Sequence, residues 1–88
     1  MRPTISAIYA LFKEGEAITV YDIYMRLTGC SDLSLMDLSM ISKIRNVVHR
    51  LHAQGYIEKI GGIDMYVHTK PISGARWSEV KVNLWQIV

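Results

Sequence analysis

Apolar residues in this chain repeat at helical spacing three times before the period changes. Ile5, Ile8, Tyr9 and Phe12, with Leu11 beside them, predict a first helix that Thr4 can cap and Gly15 can stop. Ala17-Ile18 is a short extended piece, too brief for more than one rung of sheet. Thr19-Val20-Tyr21-Asp22 has the form of a capping box with the shorter Asp in place of Glu. It opens a second helix that buries Val20, Ile23, Tyr24 and Leu27 and closes at Gly29. The third helix starts near Asp37 or Ser39 and ends at Gln54-Gly55. Its Met40, Ile41, Ile44, Val47, Val48 and Leu51 share one arc of about 120°. Ser42, Arg45, Asn46, His49 and Ala53 cluster opposite, with Arg50 at the edge and no acid among them.

Residues 30–37 separate the second and third helices by about twice the three to four residues of a tight helix-turn-helix. They predict an extended turn with Leu35 or Leu38 tucked into the core. Beyond Gly55 the period falls to two. Tyr56-Ile57-Glu58-Lys59-Ile60 and Ile63-Asp64-Met65-Tyr66-Val67-His68 alternate, and Gly61-Gly62 between them suits a two-residue turn with positive φ. Ile57, Met65 and Val67 are then expected to face the helices, with Glu58, Lys59 and His68 near solvent. Pro71 and Ser73-Gly74 end the unit, giving a domain over 1–70 and a C-terminal extension over 71–88. The extension fits two periods. Val80, Val82 and Leu84 alternate as a strand does, whereas Trp77, Val80, Leu84 and Ile87 also fit a helix. Trp77, Val80, Leu84 and Trp85 are too apolar to leave in water, and an 88-residue domain has little spare core surface, so they are expected at a contact with a second copy or a partner.

Composition adds bounds. Eighty-eight residues, half of them apolar, make one domain able to fold without staples. Cys30 stands alone, which excludes an internal disulfide and fits a reduced, cytoplasmic setting. No apolar run approaches the roughly 18 residues needed to span a bilayer, and the broken N-terminal pattern does not suit a signal sequence. The net charge of +2 is uneven: residues 1–37 hold three basic and five acidic side chains, and residues 38–88 hold seven and three. The second half, at +4, is suited to a polyanion or an acidic partner.

Catalytic chemistry finds no footing. There is no glycine-rich phosphate loop, nucleophile elbow or convergent carboxylate pair. His49 and His52 are three apart on a helix but lack an acidic or cysteine companion, so no metal and no cofactor are expected. Cys30 has no neighbouring base or cation to activate it.

An amphipathic helix from Ser39, a glycine stop at Gly55, and two alternating strands about Gly61-Gly62 follow the order of a recognition helix and a β-wing. The chain thus resembles the winged helix-turn-helix superfamily. The resemblance implies an α+β fold of three helices and a two-stranded wing, and a small sequence-specific transcriptional regulator. The third helix is then expected in the major groove of double-stranded DNA, where Arg pairs bidentately with guanine and Asn with adenine. Arg45, Asn46 and His49 would read bases, and Ser42, Arg50 and Lys59 would hold the backbone. One such module makes few base contacts, which implies a homodimer on two half-sites. The alternative is a winged helix serving as a protein-interaction module, an adaptor or a phage-type or plasmid-type inhibitor of a host protein. A short corner beside Asp64 and an apolar tail suit that role.

Overall fold

Helix α1 spans Ile5–Tyr9, α2 Val20–Thr28 and α3 Leu38–Ala53, followed by strands β1 over Ile57–Thr69 and β2 over Arg76–Ile87. The structure, a computed structural model, describes residues 4–32, 36–69 and 76–88. Three helices precede one two-stranded antiparallel hairpin, so the chain is α+β. None of the described helices is long and apolar enough to cross a membrane.

Local chemistry explains the helix limits. Thr4 Oγ1 accepts from the Ala7 N–H at 3.1 Å, and α1 carries Ile8 into the core. The helix ends at Tyr9, earlier than its apolar spacing suggests, and Phe12 enters the core from the turn beyond it. At α2 the capping box forms in both directions. The Asp22 N–H donates to Thr19 Oγ1 at 3.2 Å and the Thr19 N–H donates to Asp22 Oδ2 at 2.9 Å. Gly29 closes α2 in the left-handed region, its N–H donating to the Met25 carbonyl at 2.9 Å. Arg26 ties the preceding connection to this helix. Its Nη1 lies 2.6 Å from Glu16 Oε1 and donates to the Leu11 carbonyl at 3.0 Å. That guanidinium holds the Glu16 carboxyl below the usual carboxylate range.

Asp37 is the N-cap of α3 and accepts from the Ser39 and Met40 N–H groups at 2.9 and 3.3 Å. Its own N–H donates to Tyr24 Oη at 3.0 Å, which fixes the start of α3 against α2. The residue tucked in before α3 is Met36, not Leu38, which is 39% exposed; Leu35 lies outside the described residues. Leu38 faces outward because it is the first residue of the helix and falls off the apolar arc.

The hairpin corrects the expected turn. Gly61-Gly62 is no corner. Both glycines lie inside β1, paired with Leu84 and Asn83, and the register runs from Ile57↔Ile87 to Thr69↔Arg76. Ile60 is the extra residue of a bulge between Lys59 and Gly61, where Gly61 takes a φ of 155°. A corner at Gly61-Gly62 leaves only two short strands, and such a hairpin is marginal in water. Pairing with β2 satisfies far more backbone groups, so the two glycines shape a long strand instead of ending it. The segment expected to be an extension is therefore the second strand over 76–87, and its strand period prevails over its helical one. Pro71 and Ser73-Gly74, expected to end the unit, fall within 70–75, outside the described residues.

Ile18 does form a single rung, with Trp85, through two backbone hydrogen bonds of 2.8 Å each. This rung joins the hairpin to the helices. Ile8, Ile18, Ile23, Ile44, Val48, Leu51 and Ile57 are almost completely buried around it, and Trp85 is only 4% exposed. Val67 is also buried and Met65 partly so, as expected, while Glu58 and Lys59 are exposed.

Candidate nucleic-acid interface

The core arc of α3 fixes which of its side chains reach solvent. Ile41, Ile44, Val47, Val48 and Leu51 are buried, so Ser42, Arg45, Asn46, His49 and Arg50 emerge together on the opposite side, all exposed. Lys43 emerges with them, beside Arg50. Sequence reasoning passed over it, although its position one residue after Ser42 places it at the edge of the same arc. No Asp or Glu occurs in the sixteen residues of α3. The Asp37 cap before it takes amides of the first turn. The N-terminal amides of this helix are thus already taken, and what α3 offers to solvent is its side chains.

The hairpin begins where α3 ends, and Trp85 makes the junction. Its ring packs edge-on with His49 and His52 at centroid separations of 5.8 and 5.2 Å. His49 is thereby held between the exposed arc of α3 and the hairpin. Arg45 and His52 lie on this same edge of the helix, whereas Asn46, Arg50 and Lys43 lie on the far edge.

Lys59 stands elsewhere than expected. It pairs with Trp85, near the base of the hairpin, far from the outer end where Thr69 pairs with Arg76. Alternation along β2 places Trp85, Asn83, Lys81, Glu79 and Trp77 on one face, with Lys59, Gly62, Asp64 and Tyr66 from β1. Lys59 thus shares the face of Trp85, whose ring meets His49 and His52 of α3. Lys81 on this face was missed, because the face of a strand residue is legible only once its register is known. On this face Asp64 and Glu79 offset Lys59 and Lys81, whereas α3 carries Lys43, Arg45 and Arg50 with no acid.

The four tail residues do not form one patch. Trp77 and Trp85 lie on the face just described, and Val80 and Leu84 on the other, beside Val82. Trp85, expected at a contact between copies, is buried within its own chain. Val80 and Leu84 are half-buried, and Trp77 is 52% exposed. Cys30 is half-buried, with its Sγ 3.4 Å from the Asp32 carbonyl. Among the described residues no three His, Cys, Asp or Glu side chains gather as metal ligands do.

Compared with protein-family models, with characterised proteins and with solved structures, the chain matches none of them.

Proposed function

We propose that this chain is a winged helix DNA-binding protein, a small transcriptional regulator that places α3 in the major groove of double-stranded DNA. One observation carries the reading. A sixteen-residue helix without a carboxylate presents Ser42, Arg45, Asn46 and His49 to solvent and leads directly into a long hairpin. Arg45, Asn46 and His49 are the base-reading residues in this proposal, since their donors and acceptors match base edges. Ser42, Arg50 and Lys59 hold phosphates, with Lys43 added on the same arc. Two copies bind two half-sites, because one helix of this length reads too few bases for useful specificity.

The test is binding to duplex DNA across salt. Retention at low salt that is released steeply as salt rises is the signature of phosphate neutralisation. Selection from random duplexes should then enrich a palindrome. Absence of retention at low ionic strength excludes the reading.

A second reading, a protein-interaction module, is favoured by the outer hairpin. On one of its faces Asp64 and Glu79 offset Lys59 and Lys81, and Tyr66 and Trp77 on that face are both more than half exposed. Exposed aromatics on a charge-balanced surface suit a protein partner better than a phosphate backbone.

A further inference from the structure

The outer edge of β1 is the least explained feature of the fold. β2 is paired with β1 on one side and with Ile18 on the other, but β1 pairs with β2 alone among the described residues. Along that edge Ile60 and Ile63 are 46% and 41% exposed. An edge with unpaired backbone groups and exposed apolar side chains is a template for another strand.

The sequence of this edge reads as its own complement. Turned end for end with Ile60 bulged out of the ladder, the segment from Lys59 to Asp64 sets Lys59 opposite Asp64, Gly61 opposite Ile63, and Gly62 opposite its own copy. In a regular strand residues five apart point to opposite faces, and such a pairing would be out of phase. The bulge at Ile60 removes the conflict. Lys59 pairs with Trp85 and Asp64 with Lys81, four residues apart on β2, so both project from the same face. Ile57 and Tyr66 also share that face, and Glu58 and Met65 share the other. Neither Lys59 nor Asp64 is in a salt bridge with any described residue.

We propose that two copies of this chain join edge to edge through antiparallel pairing of their β1 strands about Gly62. Lys59 of each copy lies opposite Asp64 of the other, and the hairpins form a four-stranded sheet in the order β2-β1-β1-β2. The two-fold axis of such a pair is perpendicular to the sheet, so both α3 helices adjoin the same side. With Ile57 of one copy opposite Tyr66 of the other, eight ladder positions at ~3.4 Å each set the two hairpin bases roughly 27 Å apart. The dimer supplies the two-copy arrangement that the DNA-binding reading needs, but it does not depend on that reading.

Sedimentation without DNA tests the pairing and leaves the DNA question separate. The wild-type chain at tens of micromolar should be a dimer. Lys59→Asp alone and Asp64→Lys alone should each weaken it about tenfold or more, since each sets like charges opposite each other twice. Mixed together, these two variants should form a dimer containing one of each. The chain carrying both Lys59→Asp and Asp64→Lys should pair with itself and not with wild type. This doubly reversed chain keeps the composition of the original and serves the test if a single variant melts early. A monomeric wild type, single reversals that leave dimerisation unchanged, or free exchange between wild type and the doubly reversed chain would each overturn the proposal.

Discussion

Trp85→Ala separates a core residue from an interface residue in one experiment. The ring is 4% exposed, touches His49 and His52 edge-on, and sits on the strand that Ile18 pairs with. Truncating a buried Trp costs about 3–5 kcal/mol, part of it for the cavity left behind. At about 0.05–0.15 kcal/mol per residue, a domain of this length holds only about 4–13 kcal/mol in total. The variant is thus near the limit of folding. An unfolding entropy of about 2.1 cal/mol/K per residue gives about 0.18 kcal/mol/K for the domain, so a loss of 4 kcal/mol lowers the melting temperature by about 20 °C. Trp77→Ala, on the same face of the same strand but 52% exposed, should cost distinctly less than Trp85→Ala. The assay is thermal unfolding of both variants by circular dichroism at several protein concentrations. A Trp85→Ala deficit that stays constant with concentration marks a contact within one chain, because a contact between copies makes the deficit depend on mass action. A Trp85→Ala melt within about 5 °C of wild type, or a Trp77→Ala variant that falls further, would refute the packing described.

Other predictions rest on separate features. Arg45→Ala should lose about 1–3 kcal/mol of binding to the preferred duplex and relax discrimination at one base pair, while Arg50→Ala weakens all sequences alike; titrations against matched and mismatched duplexes check this, and both variants should melt as wild type does. Gly61→Val should destabilise the domain by more than about 1 kcal/mol because a β-branched side chain resists its φ of 155°, and urea titration measures the loss. At Gly62 the strain is steric instead, since an added Cβ would stand 3.2 Å from the Val82 carbonyl oxygen. Glu16 titrates lower in the folded chain because of Arg26, so the pair stabilises above the unfolded carboxylate pKa and that contribution is lost as pH falls through the folded value. Melting temperatures of wild type and Arg26→Ala should therefore converge at acid pH.

The helices were legible because their determinants are local. Thr19 and Asp22 are three residues apart, and the reciprocal bonds between them form as that spacing suggests. The core arc of α3 likewise follows from its own sequence, and with it the exposed set from Ser42 to Arg50. The hairpin was misread because its determinant is distant. Gly61-Gly62 has the chemistry of a tight turn when read alone, and only the presence of a strand ending at Ile87 makes it an interior segment. Alternation in Val80, Val82 and Leu84 was visible, yet helical spacing competed with it until a partner strand was assigned. Trp85 follows the same logic. Its hydrophobicity was plain, but the site that buries it comprises Ile18 and two histidines of α3, from other parts of the chain.

The rung between Ile18 and Trp85 also sets an order of events. Helices α1, α2 and α3 require only near neighbours to start, whereas this rung closes a loop over about three quarters of the chain. Loop-closure entropy must be overcome before so distant a contact contributes. Folding should thus pass through a stage in which the helices have collected and the hairpin has zipped, with the two still undocked. During synthesis Ile18 waits for its partner until residue 85 has been made, and until then His49 and His52 lack the ring that packs against them.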